Sequence, residues 1–325
     1  MIVTSSPLIS SSPVITESSN DSGSVVDNLF MRRIVSSKLL LLTDKMIHNE
    51  SEIESRHGRL KRLYLTKVDS TNDYAMKILR ENPHFPSSPN GFLVTTSEQK
   101  KGKGQRGNIW SSAPKLDLAM TWVVQKPPKV AAIVFNMAAA LATAKGVRKA
   151  VKKSIGIDFP SVALAVKWPN DVMIWANGSY RKIAGILVEN HWRGENWTAS
   201  TVGIGVNVNS RRIALGYNAV SISEVLSEDI DPQRLELPIL DHLLDYIELL
   251  KDEGGAESII EEFNSKLFGR GELREYIVGD NKHMGTLTKI DEEGIGVFEW
   301  KKSDNTPPAR IYSSEVKWVF SLHTL

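Results

Sequence analysis

The sequence contains no cysteine, and this absence excludes disulfide bonds, thiolate metal sites and a cysteine nucleophile. It also lacks an excess of either charge, because 40 Lys and Arg residues oppose 38 Asp and Glu residues for a net charge of +2. Such a balance argues against a general nucleic-acid-binding surface, so any basic site must be local. The apolar runs are interrupted or too short to span a bilayer, which predicts a soluble protein with no membrane partner.

The composition still supports a sizeable folded region. The 325 residues have room for one large domain and a small one, and 41% of them are hydrophobic. Residues 1–55, in contrast, are rich in Ser and poor in aromatics, which predicts a disordered tail that catalysis does not require. The stretch from Met31, MRRIVSSKLLLLTDK, is typical of organellar targeting peptides, but acidic residues precede it. We therefore expect a cytoplasmic protein, with organellar targeting as the alternative.

Periodicity predicts a mixed α and β region followed by short strands. Ser70 and the residues after it can cap a helix that ends near Glu81, and residues 130–153 have the pattern of a long Ala-rich helix. Residues 235–268 are mostly helical, with a break near Gly254. Strands are predicted at LYLTKV, GFLVTT, LAMTWVVQ and WTASTVGIGVNVN, and at AVKWPNDVMIW and YRKIAGILVENHW, which the turn signal ANGS joins as a hairpin. The short strands that follow indicate a small β-barrel.

The segment GKGQRG, residues 102–107, matches the pattern G-x-G-x-x-G that often binds dinucleotides. That interpretation needs a strand before the glycines and a helix that begins on the third one. A strand is predicted before the segment, but NIWSSAP follows it where the helix should begin, so we reject a dinucleotide site. Glycines let a backbone approach a ligand closely, and nearby cations can neutralise its phosphates or carboxylates. The cations here are Lys100, Lys101, Lys103 and Arg106. A solvated basic surface loop is the alternative.

Three other stretches place polar residues where the core pattern would otherwise continue. The segment DSTN, residues 69–72, stands at a predicted helix N-terminus, where N–H groups favour anionic or carbonyl ligands, although an ordinary N-cap is the alternative. The segment KWPND, residues 167–171, puts Lys, Asn and Asp inside a sheet pattern, where burial is costly unless they meet a charged ligand or a metal. Lys182 lies one hairpin away from Asp171, so the two side chains can share one surface.

Five motifs, VDSTN, GKGQRGNIW, KWPNDV, KIAGILVE and GIGVNVN, occur in this order and at similar spacing in biotin protein ligases, also called holocarboxylase synthetases. The chain resembles that family from about residue 62 to residue 325. The resemblance implies an α+β catalytic domain similar to class II aminoacyl-tRNA synthetases, with a mixed and mainly antiparallel sheet, over residues 56–270. A small SH3-like β-barrel over residues 271–325 is implied to follow it. Some relatives carry an N-terminal winged helix that binds DNA, but residues 1–55 show no helix-turn-helix pattern, so we expect no DNA binding.

The resemblance also implies a reaction in two steps. Biotin's carboxylate attacks the α-phosphate of ATP and releases pyrophosphate, and a lysine of a biotin carboxyl carrier domain then attacks the biotinyl-adenylate to form an amide. Because the first step brings an anion to a polyanion, it needs cations and Mg²⁺ more than it needs an acid or a base. We therefore expect ATP and biotin as substrates, Mg²⁺ as the cofactor and a carrier domain of a biotin-dependent carboxylase as the partner.

Roles for two groups of residues follow from the resemblance. The ureido ring of biotin is implied to bind Ser70, Thr71 and Gln99, together with backbone groups at Gly102. Three cations are implied to hold the reacting anions and to be catalytic. They are Lys103 and Lys182, which would hold the biotin carboxylate and the α-phosphate, and Arg106, which would add a phosphate contact.

The nucleotide is implied to bind a further group of residues. Asn170 would contact phosphate, Asp171 would hold Mg²⁺ and Asn207 would bind adenine, while Trp110 would pack over the bound adenylate. The glycine segment would then be a flexible lid around an acyl-adenylate, which would include Gln105 among the adenylate contacts.

The chain departs from the common family pattern at two positions of this segment. Many relatives have Arg where this chain has Gln105, and Arg where it has Lys103. The change at Lys103 keeps the charge but loses the planar fork of a guanidinium, whereas the change at Gln105 removes a charge. The departures leave the implied activity intact and put the strength of adenylate retention in question.

Two other functions remain as alternatives. A lipoate ligase-like acyltransferase shares the fold relation but would release pyrophosphate with lipoate instead of biotin. A nucleic-acid-binding module would use the basic residues of the glycine segment and the eight tryptophans, and its affinity would fall steeply with salt. The balanced charge, and tryptophans that are spread through strand patterns, count against the second alternative. Both a monomer and a homodimer are compatible with the sequence.

Overall fold

The computed structural model describes residues 47–82, 85, 88–159, 163–213, 218–302 and 305–320. These residues belong to one compact unit, Met46–Leu325. The predicted targeting stretch and most of the predicted tail lie outside the described residues. No helix in the described part of the chain combines the length and the apolar character needed to cross a membrane.

An eight-stranded sheet organises this unit. Along the chain the strands are β1 Ile47–Ser55, β2 Gly58–Leu65, β3 Phe92–Thr96, β4 Gly102–Lys103, β5 Ile109–Trp110, β6 Leu118–Gln125, β7 Leu164–Lys167, β8 Asp171–Ala176, β9 Ser179–Arg193 and β10 Asn196–Val206. The large sheet has the order β1-β2-β3-β6-β10-β9-β8-β7, while β4 and β5 form a separate ribbon. Strands β2 and β3 run parallel and the other neighbours run antiparallel. The predicted mixed and mainly antiparallel sheet is therefore confirmed.

Helices cover both faces of the large sheet. They are α1 Thr71–Glu81, α2 Ala132–Ile155, α3 Ile222–Leu226, α4 Glu236–Leu249 and α5 Gly255–Ser265. Side chains alternate along β6, so that Val123 packs with the residues under α1 while Trp122 packs with those of α2 and α4. Helix α1 begins where Ser70 accepts a hydrogen bond from the backbone N–H of Asp73, and α2 ends at Gly156, whose φ of 75° suits glycine. The predicted helices and the break between the last two are confirmed.

The C-terminal residues form a second sheet. Its strands are β11 Leu273–Val278, β12 Asn281–Ile290, β13 Gly296–Trp300, β14 Arg310–Ile311 and β15 Val316–Trp318, in the order β14-β13-β12-β11-β15. The predicted short strands are thus confirmed as a five-stranded antiparallel sheet. Tyr276 and Phe298 of this sheet share one hydrophobic core with Phe135 of α2, so the second sheet packs directly on the first domain.

The N-terminal boundary differs from the prediction. Residues 47–55, expected at the end of a tail, form β1 and pair with β2 from Ile47 opposite Leu65 to Ser55 opposite Gly58. The adjoining Arg56 binds Asp241 and Asp245 of α4 at 3.1 and 2.7 Å. An edge strand exposes much of its surface, and so the polar sequence IHNESEIES resembles a tail in composition while it is part of the sheet. The boundary at residue 55 is therefore wrong, and the sheet begins at Ile47.

We expect two truncations to separate the tail from the sheet. A chain that begins at Met46 should unfold at the same urea concentration as the full chain, because the Ser-rich residues before it supply no core. A chain that begins at Arg56 loses β1, including the half-buried Ile53 that packs on the core, and should lose about 2 kcal/mol of unfolding free energy. Equal urea midpoints for the two chains would show that β1 adds no stability.

Candidate active site

A cavity lies on the face of the large sheet that α1 covers, beneath the ribbon of β4 and β5. Ten of the twelve residues predicted for the site line it, and the exceptions are Gly102 and Asn207. Strands β9 and β10 present three glycines to this face, namely Gly185, Gly203 and Gly205, because every second residue of a strand faces the same side. These glycines let Trp110 and Asn72 lie directly against the sheet as walls of the cavity. Four stretches that are far apart in sequence therefore meet at one place.

A carboxylate between two ammonium groups forms one end of the cavity. Lys182 Nζ lies 2.6 Å from Asp171 Oδ1, and Lys167 Nζ lies 3.3 Å from Asp171 Oδ2. The three side chains are only 15 to 31% exposed. The hairpin of β8 and β9 causes this contact, because it places the start of β8 opposite Gly185, as the sequence predicted for Asp171 and Lys182. Two cations around one anion leave a net positive charge that favours anionic ligands. Lys167 received no role from the sequence, although its motif was recognised.

Trp110 forms the roof over this end of the cavity. A Cβ atom on Gly205 would lie 2.1 Å from Trp110 Cε2, and one on Gly185 would lie 2.9 Å from Trp110 Cζ3. Any larger residue at Gly205 would therefore displace the ring from its place against the sheet. Lys182 Nζ lies 5.2 Å from the centre of the Trp110 ring, within the range of a cation–π interaction. Trp110 Nε1 is buried and has no hydrogen-bond partner among the described residues.

The glycine segment is an ordered ribbon with contacts at both sides. Gly102 pairs with Trp110, and the absence of a Cβ lets it lie against Gln99, whose Nε2 would be 2.5 Å from such an atom. Arg106 adopts a φ of 57° and donates from Nη2 to Ser313 Oγ of the C-terminal sheet region at 2.8 Å. Lys103 Nζ lies 2.5 Å from Asp73 Oδ1, and this hydrogen bond raises the pKa of Lys103. A short 3-10 turn at Gln105–Gly107 and then a strand follow, and the α-helix that a dinucleotide site needs does not begin at Gly107.

Neutral polar groups form the opposite end of the cavity. The backbone N–H of Thr71 donates to Gln99 Oε1 at 3.0 Å, and Ser70, Thr71 and Asn72 are all buried. Asn72 and its partner Thr121 were missed by sequence reasoning as functional residues. Asn72 stood in a recognised motif without a role, whereas Thr121 lies inside an ordinary strand pattern that carries no signal.

Two asparagines of the predicted site hold the backbone around Lys182 and Asp171. Asn170 Nδ2 donates to the carbonyl of Ile186 at 2.6 Å, and Asn170 lines the cavity. Asn207 Nδ2 donates to the carbonyls of Lys182 and Val220, both at 3.4 Å. The structure thus places Asn207 behind the cavity, where it supports Lys182, and its role in adenine binding stays a prediction.

A buried ion pair anchors the far end of the glycine segment and was not anticipated. Asp117 Oδ2 lies 2.5 Å from Arg212 Nη2, and the two side chains are 0% and 6% exposed. Asp117 also accepts hydrogen bonds from the backbone N–H groups of Ala113 and Val208 at 2.8 and 3.0 Å. Arg212 donates in addition to the carbonyl of Ser111 at 2.8 Å. The pair therefore joins the chain after Trp110 to the chain after β10.

The described residues contain no cluster of three or more His, Cys, Asp or Glu side chains that could hold a metal ion. Among the described residues that line the cavity, Asp171 is the one carboxylate. A single carboxylate suits a cation such as Mg²⁺, which keeps several water ligands and is usually shared with substrate phosphates. The predicted metal role of Asp171 therefore has support in the type of donor, although the two lysines also compete for it.

Comparison with known proteins identifies similar sequences and folds. Residues 64–207 match the model of the biotin/lipoate A/B protein ligase family. The bifunctional ligase/repressor BirA of Escherichia coli is 27% identical over 240 residues, which are 72% of this chain and 68% of that protein. The biotin–(acetyl-CoA-carboxylase) ligase of Paracoccus denitrificans is 37% identical over 145 residues, 44% of this chain and 53% of that protein.

Solved structures show a similar fold. A point mutant of the Aquifex aeolicus biotin protein ligase in complex with biotin has a TM-score of 0.59 at 22% identity and covers 80% of this chain and 98% of that chain. The biotin protein ligase of the same organism in complex with biotin and ATP has a TM-score of 0.55 at 22% identity, over 80% of this chain and 95% of that chain. At this identity the likeness is one of fold, an α+β architecture with a mixed sheet.

Proposed function

Because this chain belongs to the biotin protein ligase family, we propose that it joins biotin to a lysine of a carrier protein at the cost of ATP. The observation that carries this proposal is the division of one cavity into two ends. Neutral hydrogen-bonding groups at Ser70 and Thr71 line the same cavity as the cation Lys182, and Lys103 lies between them on the ribbon, where it contacts Asp73. A ligand that is polar and neutral at one end and anionic at the other matches this arrangement, and biotin has these properties.

The neutral end would bind the ureido ring of biotin. Ser70, Thr71 and Gln99 line it and are held in place by the start of α1 and by the Thr71 to Gln99 hydrogen bond. Buried neutral groups of this kind bind an uncharged ring without the cost of burying a charge. Gly102 would contribute by letting the ribbon lie close to Gln99.

The cationic end would hold the reacting anions. In the first step a biotin carboxylate oxygen bonds to the α-phosphorus of ATP, and the bond from that phosphorus to pyrophosphate breaks. Two anionic reactants repel each other in water, so fixed cations lower the barrier by stabilising the charge that they share. Lys182 and Lys103 would contact the carboxylate and the α-phosphate, and Arg106 a further phosphate. Asn170 and Trp110 would position the nucleotide. Trp110 would pack over it, and its indole N–H would be available as a hydrogen-bond donor.

In the second step the acceptor lysine would attack the carbonyl carbon of biotinyl-adenylate. The new carbon–nitrogen bond replaces the bond from that carbon to the AMP oxygen, and the amine loses a proton. Acceptor and adenylate would meet at the open side of the cavity, beside the ribbon. We propose that the acceptor is a biotin carboxyl carrier domain. That the chain binds no DNA remains a prediction from the sequence.

Asp171 would hold Mg²⁺ together with the phosphates of ATP. The ion would supply positive charge to the phosphates. Lys182 and Lys167, which contact different oxygens of Asp171, would hold this carboxylate in place and add their own charge at this end of the cavity.

We also propose finer descriptions of the fold. The large sheet with its helices would be the class II synthetase-like catalytic domain, and the five-stranded antiparallel sheet would be the SH3-like barrel. The new sheet begins at Leu273, which agrees with a boundary near residue 271.

Mass spectrometry of a purified carrier domain tests the proposed function. After incubation with the full chain, ATP, Mg²⁺ and biotin, the domain should gain the mass of one biotinyl group on one lysine. Omission of ATP should abolish the gain, and replacement of biotin by lipoate tests the lipoate ligase alternative. A carrier domain that gains mass with lipoate and not with biotin would reject the proposal.

The neutral residue Gln105 offers a prediction on the intermediate. Gln105 lines the cavity at the position where many relatives have a charge. The neighbouring Arg106 also lines the cavity, but one of its guanidinium nitrogens already donates to Ser313, so Arg106 compensates only in part for the missing charge. Gln105→Arg should replace a neutral hydrogen bond by a charge-assisted one, a gain of about 1 kcal/mol. Biotinyl-adenylate should then dissociate roughly fivefold more slowly.

Rapid mixing without acceptor protein measures this dissociation. Gln105→Glu is the matched control, because it adds the opposite charge at the same place and should speed release. If Gln105→Arg releases the adenylate at the rate of the natural protein or faster, the side chain does not limit retention.

A further inference from the structure

A chain of four hydrogen-bonding side chains runs from the wall of the cavity into the sheet. It joins Thr71, Thr121, Asn72 and Glu189. We propose that Thr121 and Glu189 are positioning residues that set the direction of these hydrogen bonds, so that the Thr71 hydroxyl accepts a hydrogen bond from a ring N–H of the ligand. This inference rests on the proposed function, because it names the polarity of the end that would hold the ureido ring.

The carboxylate of Glu189 fixes the orientation of the Asn72 amide. Asn72 Nδ2 lies 2.8 Å from Glu189 Oε2 and 3.5 Å from the carbonyl of Leu187. Both partners can only accept hydrogen bonds, so the amide nitrogen must face them. The flipped amide would place its oxygen against the carboxylate, which is repulsive. Asn72 Oδ1 therefore faces the other way, toward Thr121.

The orientation of Asn72 determines both hydroxyl protons. Thr121 Oγ1 lies 2.6 Å from Asn72 Oδ1, a carbonyl-type oxygen that can only accept, so the single Thr121 proton must point to it. Thr121 Oγ1 also lies 2.8 Å from Thr71 Oγ1. Since the Thr121 proton is already used, Thr71 must donate at this contact. The Thr71 oxygen can then only accept from a third group. The 3.2 Å separation between Thr71 Oγ1 and Gln99 Oε1 is accordingly a contact of two acceptors.

Packing holds the chain of hydrogen bonds in this arrangement. Thr121 is 0% exposed and Asn72 is 4% exposed, so water does not compete for their hydrogen bonds. Thr121 stands opposite Gly203 in the pairing of β6 with β10. A Cβ atom on Gly203 would lie 2.3 Å from Asn72 Oδ1, so glycine is what permits the close approach of Asn72 to the sheet. Asn72 and Thr71 line the cavity, and the order of the protons is therefore transmitted to the ligand.

As a consequence, this end of the cavity should select a ligand that donates a hydrogen bond to Thr71. A buried acceptor that meets a ring N–H gains a hydrogen bond, whereas a ring oxygen at the same place leaves two acceptors in contact and the Thr71 lone pair unsatisfied. Sites built on buried hydrogen bonds reject such analogues strongly. We expect the wild-type protein to bind biotin about 100-fold more tightly than the cyclic carbamate in which the N–H that faces Thr71 is replaced by oxygen.

Isothermal titration of the full chain with biotin and with both carbamate isomers tests the proposal. Thr121→Val removes the middle hydroxyl without changing the volume much, so Thr71 is released to donate, and the preference for biotin should fall to about tenfold. Thr121→Ser restores the hydroxyl and should restore the preference. Glu189→Gln lets the amide of Asn72 adopt either orientation and should also lower the preference. Glu195→Gln removes the same charge at an exposed position of the β9–β10 turn and is the matched control.

The decisive quantity is the ratio of the affinity for biotin to the affinity for each carbamate. Glu189 also acts on Lys103 through its charge, so Glu189→Gln can change the affinities for all three ligands together without changing this ratio. A natural protein that binds biotin but does not distinguish it from either carbamate would overturn the inference. An unchanged ratio of affinities in Glu189→Gln would also overturn the inference, and this variant serves as the test if Thr121→Val does not fold. A natural protein that binds no biotin would instead overturn the proposed function, and the two failures are thus distinct.

Discussion

Lys182→Ala is expected to slow biotin-dependent adenylate formation by roughly 10- to 150-fold, the value of one charge-assisted contact of about 1.5–3 kcal/mol. The structure places Lys182 Nζ between Asp171 and the ring of Trp110, at the end of the cavity where the anions would react. Its removal takes away one of the two cations that surround Asp171. The remaining pair of Asp171 and Lys167 carries no net charge and stabilises the reacting anions less.

The exchange of labelled pyrophosphate into ATP measures this step without an acceptor protein. Lys182→Arg should retain more activity than Lys182→Ala, because it keeps the charge but not the compact shape of the ammonium. Lys153→Ala removes an exposed lysine near the end of α2 and should exchange normally. A normal exchange rate for Lys182→Ala, with an unchanged thermal midpoint, would remove Lys182 from the reaction.

The contact between Lys182 and Asp171 shows how much of the site a sequence can predict. A hairpin signal lies between the two residues, and the pairing of the two hairpin strands brings Asp171 and Lys182 to the same place. The local sequence pattern is therefore sufficient to predict this contact. The same holds for Ser70, whose place before an amphipathic helix predicted its capping role correctly. The positions of residues that depend on a local pattern can therefore be predicted from the sequence.

Residues whose partners are distant in sequence could not be found in this way. Thr121 matters because Asn72, 49 positions earlier, reaches it across the sheet. Lys167 contacts Asp171 only four positions away, but it also lies 5.9 Å from the ring centre of Trp318 in the C-terminal sheet, a contact that no local pattern indicates. Asn207 shows the converse case, since its motif is typical of the family but its side chain binds backbone carbonyls behind the cavity.

The sequence predicts the helices and central strands of the fold better than the edge strands of the large sheet. The helices and most strands have strong periodicity and apolar faces, and their positions agree with the patterns to within a few residues. The segment AVKWPNDVMIW is the exception, because it was predicted as one strand and instead forms β7 and β8, which pair antiparallel around a turn at residues 168–170. Strand β1 was assigned to the tail because an edge strand of the sequence IHNESEIES needs few apolar residues. What identifies it as part of the sheet is its pairing with β2 and the contact of Arg56 with Asp241, both of which are tertiary.

Asp117→Ala is expected to have the largest effect on stability, a loss of about 3–5 kcal/mol in the free energy of unfolding. The carboxylate is completely buried and satisfies Arg212 and the backbone N–H groups of Ala113 and Val208. Its removal leaves a buried guanidinium without its counter-ion and two backbone donors without an acceptor. Few single substitutions combine these two costs.

Urea unfolding of Asp117→Ala and Arg212→Met distinguishes the two partners of the pair. After Arg212→Met the carboxylate still accepts from two backbone N–H groups, whereas after Asp117→Ala the arginine retains the carbonyl of Ser111. We therefore expect Asp117→Ala to lose more unfolding free energy than Arg212→Met, with similar denaturant dependence. Because the carboxylate also joins the chain after Trp110 to the chain after β10, Asp117→Ala should loosen the roof of the cavity and slow pyrophosphate exchange even at temperatures where the protein is folded. A larger loss from Arg212→Met would show that the packing of the arginine, and not the network around the carboxylate, holds these segments together.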